Sequence, residues 1–164
     1  MGQSSVDGLQ IRQFGIEDVD KWARTELQRR HLADALKHSD DYLAAVLPNG
    51  RIVGKIGIRY DQHPDAGNLF QFDVVENLRS RGIGTKLLLS AEQRIRAHGC
   101  SRATLAVEET NAAAIRLYRR AGYEVFGTES AQWDQEAPDG TTYLYQCECL
   151  QMQHTLGRLT AADT

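Results

Sequence analysis

Residues 74–88 read Val-Val-Glu-Asn-Leu-Arg-Ser-Arg-Gly-Ile-Gly-Thr-Lys-Leu-Leu. The stretch passes from an apolar strand into a loop with two arginines and two glycines, and the loop leads directly into a helix. The first backbone N–H groups of a helix lack intrahelical partners, and the helix dipole adds partial positive charge there. An anion is stabilised at such an end, so the stretch predicts a phosphate-binding junction.

The side chains of this loop suit the same ligand. Gly82 and Gly84 lack Cβ atoms, so a phosphate can approach the main chain and positive φ angles cost little. Arg79 and Arg81 supply planar, permanently charged donors to the same oxygens. Short glycine patterns recur by chance, however, and an ordinary strand-to-helix turn with solvated arginines explains the loop taken alone equally well.

Composition narrows the class of protein. A chain of 164 residues suits one domain, and its 41% hydrophobic and 25% charged residues are ordinary globular values. A net charge of −3 argues against a nucleic-acid binder, since such domains are usually basic. The apolar runs are too short to span a membrane, and no secretory signal is recognised. We therefore expect neither nucleic-acid nor membrane binding.

The three cysteines do not suggest a disulfide framework, because their number is odd. Cys147 and Cys149 are two residues apart in a predicted strand and share a face, which is typical of small core residues. Cys100 follows a glycine that ends a helix, and none of the three has the paired spacing of a zinc site. We expect no metal site and a reducing, cytoplasmic setting.

Hydrophobic periodicity and turn residues predict the other elements. Strands are predicted at 9–15, 42–47, 52–60, 69–75, 103–107, 123–133 and 141–152. Helices are predicted as a bent pair over 18–36, then at 83–98 and 111–121. Residues 61–68 are predicted to be a loop. The folded domain is expected over 9–154, with flexible termini at 1–8 and 155–164.

Two segments resemble the GNAT superfamily of N-acyltransferases. The spacing Arg79-x-x-Gly82-x-Gly84 is similar to its acyl-CoA pyrophosphate loop, which has Gln or Arg, two residues, Gly, one residue, and Gly or Ala. A second segment matches its spacings at Val107, Asn111, Ala114, Leu117-Tyr118 and Ala121-Gly122-Tyr123. Two matches in the right order, over about fifty residues, are far more specific than one.

The resemblance implies an α/β fold in a single GNAT-like domain, with a mixed central sheet of about seven strands and about four helices. It implies that the fourth strand, ending at Val75, and the fifth, ending at Val107, are parallel and splay apart at their C-terminal ends. It also implies that the pantetheine arm of acetyl-CoA, the cosubstrate, lies in that gap.

By the same resemblance, backbone atoms of Val74 and Glu76 hold the pantetheine arm. The N–H of Val74 or Val75 polarises the thioester carbonyl, an oxyanion-hole role. Asn111 both caps its helix and binds the pantetheine amide. The residues expected to bind the cosubstrate are Val74, Val75, Glu76, Arg79, Ser80, Arg81, Gly82, Ile83, Gly84, Thr85, Asn111, Ala114 and Tyr118.

Tyr118 is the residue predicted to handle the leaving group, because a phenol can donate to the departing sulfur. A phenol of pKa near 10 is a weaker acid than a thiol of about 8.5, so full transfer is uphill by roughly 2 kcal/mol. Tyr118 is therefore expected to act by hydrogen bonding more than by complete donation. The alternative is a core tyrosine on a buried helix face.

The candidates for a base are Glu108 and Glu109, which follow the fifth strand, and Asp73, which adjoins the oxyanion position. Each is equally well explained as a solvated carboxylate. Peptide N-terminal acetyltransferases of the superfamily carry a glutamate five residues before the asparagine, and here that position is Ala106. This departure favours a different acceptor.

We expect an acetyl-CoA-dependent N-acetyltransferase acting on a small-molecule amine by direct attack in a ternary complex. Acidic residues near the tip of the last hairpin, Asp134, Glu136 and Asp139, would attract a cationic acceptor, although such charges also serve solubility. The alternatives are a protein or peptide N-terminal acetyltransferase of the ribosomal-protein type, a non-catalytic acyl-CoA-binding module, and an unrelated structural α/β protein. Dimers are common among such relatives, so the resemblance allows a homodimer.

Overall fold

The computed structural model describes residues 6–39 and 41–157. Its strands are β1 Gln10–Gln13, β2 Asp41–Val46, β3 Ile52–Arg59, β4 Ala66–Val74, β5 Arg102–Glu108, β6 Glu124–Glu136 and β7 Thr142–Thr155. Its α-helices are α1 Val19–Trp22, α2 Glu26–Lys37, α3 Ile83–Ala97 and α4 Ala112–Arg120, with single 3-10 turns at Ile16–Asp18 and Glu76–Leu78. The predicted α/β class, with about seven strands and four helices, is confirmed over the described residues.

The strands form one sheet in the order β1-β2-β3-β4-β5-β7-β6. The β4–β5 pair is parallel and the other neighbours are antiparallel. α3 joins the parallel pair and buries Leu87, Leu88 and Ile95 against one face of the sheet. A second apolar cluster, which includes Phe14 and Leu32, lies with α1 and α2 on the other face. The sheet therefore separates two cores.

β4 begins at Ala66, three residues before its predicted start. Its first residues, Ala66 and Gly67, were predicted to be in a loop because they are small, but Ala66 is buried and Gly67 packs against α3. A Cβ built on Gly67 would lie 2.4 Å from Cγ1 of Ile95, so α3 approaches the backbone of β4 too closely for a side chain. The final hairpin is also longer than predicted at both ends, since β6 continues to Glu136 and β7 to Thr155.

The parallel strands diverge, as predicted. Pairing between β4 and β5 runs from Ala66 opposite Arg102 to Leu69 opposite Leu105, and then it stops. Gln71 has φ +50°, and the register with β3 shifts between Lys55 and Gly57. Such a bulge bends and twists its strand, which turns β4 away from β5. β5 remains paired with β7, so a gap opens between the two C-terminal ends.

The predicted flexible termini fall partly on residues 1–5 and 158–164, which lie outside the described residues. Within the described part, Thr155 ends β7. Leu156 is buried and its N–H donates to the carbonyl of Ser101 at 2.7 Å. No helix between residues 6 and 157, leaving residue 40 aside, is long and apolar enough to cross a membrane.

Candidate active site

A cleft of about 560 Å³ opens where β4 and β5 separate, between the start of α3 and the side of α4. Its volume is in the range of ligand-binding pockets. Most residues predicted to bind the cosubstrate line it, namely Val74, Arg79, Ser80, Gly82, Gly84, Thr85, Asn111, Ala114 and Tyr118. The other four are not on its wall: Val75, Glu76 and Arg81 lie along the loop, and Ile83 is buried in the core.

The main chain of Val74 faces the gap. The N–H of Val75 donates to the carbonyl of Val53 at 2.9 Å, and Val74 lies opposite Gly54 in the same ladder. Successive residues of an antiparallel strand bond to alternate sides, so the polar groups of Val74 point away from β3, toward β5. Pairing with β5 has already ended at Leu69, so the ladder offers the Val74 N–H no acceptor. The geometry favours Val74 over Val75 as the oxyanion donor.

Arg79 spans this position. Its Nε donates to the carbonyl of Val74 at 3.1 Å, and its Nη2 lies 3.4 Å from Oδ1 of Asp73. Both partners line the cleft. Arg79 therefore rests against the C-terminal end of β4, on the cleft wall.

The start of α3 is open to a ligand. Gly82 is the N-cap residue with φ +83° and supplies no side-chain cap, and the first turn holds no acidic residue. α2 and α4 differ, because Thr25 and Asn111 cap them by accepting from Gln28 N–H and Ala114 N–H. A Cβ on Gly82 would meet no chain atom within 4 Å. Uncapped amides beside a bare glycine and two arginines fit the diphosphate of an acyl-CoA.

Tyr118 lines the cleft from α4 and is buried. Its ring lies between Phe72 and Tyr123, with centroid distances of 6.2 and 5.9 Å. Among the described residues its hydroxyl has no hydrogen-bond partner. Burial raises the pKa of Tyr118 to about 12. The phenol therefore stays protonated at neutral pH as a donor, and full transfer to a thiolate would be uphill by about 5 kcal/mol.

Asn111 reconciles its two predicted roles. Its Oδ1 accepts from the Ala114 N–H at 3.2 Å and caps α4. The cap uses the oxygen alone, so the NH₂ group of this cleft-lining side chain is left to donate to a ligand.

The two glutamates predicted as bases lie off the cleft wall. Glu108 accepts from the hydroxyl of Tyr145 at 3.0 Å, on the side of β7. Glu109 is exposed, and its N–H donates to the carbonyl of Glu148 at 3.1 Å. Ala106 is exposed although β5 is a central strand, so that face of the sheet is uncovered there. The roles of Glu108 and Glu109 stay predictions, and Asp73 is the candidate carboxylate on the wall.

Several lining residues were not anticipated from the sequence. Ala113, Leu117 and Arg120 reach the cleft from α4 together with Tyr118. Their spacing of four and three residues puts them on one helix face, so helical periodicity would have found them. Phe72 and Leu78 also line it.

Lys55 is a further unanticipated residue, buried behind the cleft. Its Nζ donates to the carbonyl of Gln71 at 2.8 Å and to the hydroxyl of Tyr42 at 3.0 Å. Burial lowers the pKa of Lys55 to about 8, although the negative charge of Asp73 raises it in part. The sequence signal was a lone charge within Ile52–Ile58, a stretch buried throughout.

Comparisons with known proteins agree with this geometry. Residues 8–123 match the model of the acetyltransferase (GNAT) family. An acetyltransferase of Pectobacterium atrosepticum, ECA0875, is 31% identical over 126 residues, which cover 71% of this chain and 88% of the relative. The ribosomal-protein-S18-alanine N-acetyltransferase of Escherichia coli superposes with a TM-score of 0.71 at 18% identity, covering 93% of this chain and 97% of its own. An acetyltransferase of Bacillus subtilis in complex with CoA superposes with a TM-score of 0.69 at 15% identity, covering 91% of this chain and 99% of its own. The chain therefore belongs to the GNAT family of acetyltransferases.

Proposed function

We propose that this chain is an acetyl-CoA-dependent N-acetyltransferase that acetylates the primary amine of a small molecule by direct attack in a ternary complex. One observation carries the proposal. The outward-facing main chain of Val74 and the hydroxyl of Tyr118, which has no hydrogen-bond partner among residues 6–39 and 41–157, line the same cleft. The cleft lies at the start of α3, a helix without a side-chain cap. This combination supplies donors for both ends of a thioester and a seat for its diphosphate.

Acetyl-CoA, when bound, supplies the acetyl group as a thioester. The amides at the start of α3, with Arg79, hold its diphosphate, and the NH₂ group of Asn111 holds an amide of its arm. The Val74 N–H donates to the carbonyl oxygen on which negative charge develops, a contribution worth about 100- to 1000-fold in rate in other enzymes. Tyr118 donates a hydrogen bond to the sulfur as it leaves.

Direct attack is supported by the positions of the cysteines. Cys100, Cys147 and Cys149 are all free, and none lines the cleft. An acyl-enzyme would need a nucleophilic side chain beside the acetyl group. No cysteine is placed to form such an acyl-enzyme, which supports direct attack by the acceptor amine.

A small acceptor is supported by Ala106, which stands where peptide N-terminal acetyltransferases are expected to carry a glutamate. The runner-up is a protein or peptide N-terminal acceptor. The Escherichia coli enzyme with that activity shares the fold, but at 18% identity it gives no information on substrate.

A thiol-release assay with acetyl-CoA tests the proposal on spermidine, streptothricin, free lysine, and peptides beginning with alanine or serine. We expect release with at least one small amine, at ten or more times the peptide rate. Faster release with a peptide would favour the runner-up. Calorimetric binding of acetyl-CoA without release on any amine would indicate a binding module, and no binding would contradict both.

Two wider predictions belong to this proposal. The first is a reducing, cytoplasmic setting, which suits three free cysteines. Thiol titration of the protein from freshly lysed cells should find all three cysteines reduced. A homodimer is the other, and sedimentation equilibrium at several concentrations would measure the mass.

A further inference from the structure

A buried cation lies directly behind the candidate active site. Lys55 is 8% exposed, in the middle of β3. Its partner across the ladder is Asp73, the residue before Val74. Directly opposed residues project to the same face of a sheet, with Cβ atoms about 5 Å apart. Asp73 is exposed and lines the cleft, so a residue of the cleft wall lies directly opposite Lys55.

The hydrogen bonds of Lys55 are compatible with two protonation states. Its Nζ donates two hydrogen bonds, to the Gln71 carbonyl and the Tyr42 hydroxyl. An ammonium has three N–H groups, whereas the neutral amine keeps two and gains a lone pair. Tyr42 in turn donates to Oε1 of Gln71 at 2.7 Å. Lys55 can therefore gain or lose one proton while both bonds remain.

The groups that face Lys55 come from three elements. The ring of Trp22 on α1 lies 5.5 Å from Nζ and the ring of Tyr42 on β2 lies 5.7 Å away. Gln71 and Asp73 face it from β4, and Asp73 is the charged group that acts on it. The rings and Asp73 favour the cation, while burial favours the neutral amine. Burial is the larger effect and lowers the pKa of Lys55 to about 8, in the range suited to a general base.

We propose that Lys55 stores the proton that the acceptor amine gives up, receiving it through Asp73. The inference rests on the proposed function and supplies the base that Ala106 does not provide. Lys55 acts through Asp73 and does not touch the substrate, so it is a positioning residue.

The step balances as follows. An acceptor ammonium gives one proton by way of Asp73 to the neutral amine of Lys55. The freed nitrogen lone pair forms the bond to the acyl carbon, and the carbon–sulfur bond breaks. A second proton passes from that nitrogen to the sulfur beside Tyr118, whose hydroxyl ends unchanged. Lys55 then returns its proton to solvent, so ammonium and thioester become amide, thiol and one proton.

A purely structural role for Lys55 is the alternative, because its bond to the Gln71 carbonyl braces the bulge in β4. Two substitutions separate the roles. Lys55→Arg keeps a cation that donates hydrogen bonds but cannot lose its proton, and Lys55→Met removes the titrating group. Lys21→Met, at an exposed lysine of α1, is the matched control.

The experiment measures kcat from pH 6 to 10 with whichever panel amine the wild type acetylates fastest, alongside calorimetric acetyl-CoA affinity. We expect the wild-type kcat to rise with pH and level off above about 8. At pH 7.5 the kcat of both Lys55 variants should be about 100-fold below that of the wild type, with unchanged acetyl-CoA affinity. Their kcat should continue to rise above about pH 8, where the wild-type kcat levels off. Lys21→Met should match the wild type.

A second readout needs no substrate. In the unliganded protein labelled with ¹³Cε-lysine, one NMR signal should titrate near pH 8 and be missing from Lys55→Met. This measurement on the wild type remains decisive where a variant folds poorly.

Wild-type kcat and pH profile in Lys55→Arg would overturn the inference in favour of the structural role. Absence of a lysine signal titrating below about pH 9.5 would overturn it too. If the wild type acetylates an amine and the Lys55 variants do so equally well, the role of Lys55 is contradicted and the proposed function is not. No transfer by the wild type to any panel amine contradicts the proposed function and this role together.

Discussion

At the scale of single residues, the cleft is defined by polar groups that the fold leaves unsatisfied. The N–H of Val74 faces a gap, the NH₂ of Asn111 is not used by its cap, and the hydroxyl of Tyr118 has no partner among the described residues. Ligand-binding clefts typically carry a small number of such polar groups on their walls. Here a bound ligand would satisfy all three.

Replacing Tyr118 with Phe removes one of these donors without changing the shape of the wall. We expect kcat to fall by about 10- to 100-fold, because the leaving sulfur loses its hydrogen bond. Acetyl-CoA affinity by calorimetry should be nearly unchanged. Tyr143→Phe, on the exposed hairpin, is the control, and an unchanged rate in Tyr118→Phe would remove this residue from the mechanism.

Replacing Gly82 with Val tests the diphosphate seat. We expect acetyl-CoA binding to be lost, because the new side chain would occupy the open space at the start of α3. Gly99→Val is a matched control, since Gly99 also has a positive φ, at +94°, and open surroundings, but lies beyond the other end of α3. Both variants carry backbone strain of about 1 to 3 kcal/mol, so only the difference in affinity is informative. Binding that survives in Gly82→Val would show the loop assignment to be wrong.

At the scale of elements, local signals were predictable and long-range ones were not. The arginine–glycine loop, the Asn111 cap of α4 and the divergent parallel pair follow from short patterns and from a family resemblance built on them. The bulge at Gln71 could not be predicted, because it depends on the register between β3 and β4. Lys55 was missed for the same reason, since only that register puts it opposite Asp73. Glu108 and Glu109 were predicted as bases because they follow β5 in the sequence. That position does not specify that both residues bond on the side of β7, away from the cleft.

The start of α4 allows capping and ligand binding to be separated. Asn111→Ala should lower stability by about 1 kcal/mol through loss of the cap and should also weaken acetyl-CoA binding. Asn111→Ser keeps a capping oxygen but has no NH₂ group, so it should weaken binding with nearly wild-type stability. Urea unfolding and calorimetry on both variants measure the two effects, and Thr25→Ala on α2 controls for a lost cap away from the cleft. Equal affinity in Asn111→Ser and the wild type would limit Asn111 to capping.

At the scale of the whole molecule, one sheet separates two apolar cores, and the site lies at the point where its strands part. α3 and α4 cover one face, and α1 and α2 cover the β1–β3 side of the other. This second cluster contains Tyr42, which contacts Lys55 behind the cleft. The chemistry proposed for the cleft therefore depends on both layers.

The buried lysine should make the stability of the whole domain depend on pH. The pKa of Lys55 is about 8 in the fold and 10.5 in the unfolded chain, so between these values the unfolded chain binds more protons. Below pH 8 the folded protein must carry a buried charge on Lys55, which lowers its stability. As the pH rises from about 8 to 10.5, this cost is lost and the free energy of unfolding increases. Relative to Lys55→Met, wild-type stability should increase by about 2 kcal/mol between pH 7.5 and 9.5, or about 5 °C in Tm. Taking the difference cancels other groups, such as Cys149, whose raised thiol pKa acts in the opposite direction. Parallel pH curves for the two proteins would contradict the shifted lysine.

The resting position of Arg79 has a consequence for timing. Its guanidinium contacts both the carbonyl of Val74 and the carboxylate of Asp73. If Arg79 turned to the diphosphate of acetyl-CoA, as the proposed function requires, the same movement would vacate the Val74 carbonyl and free Asp73, the residue opposite Lys55. An amine that arrived before acetyl-CoA would meet a carboxylate still held by Arg79, so under the proposed function we expect acetyl-CoA to bind first and the amine second.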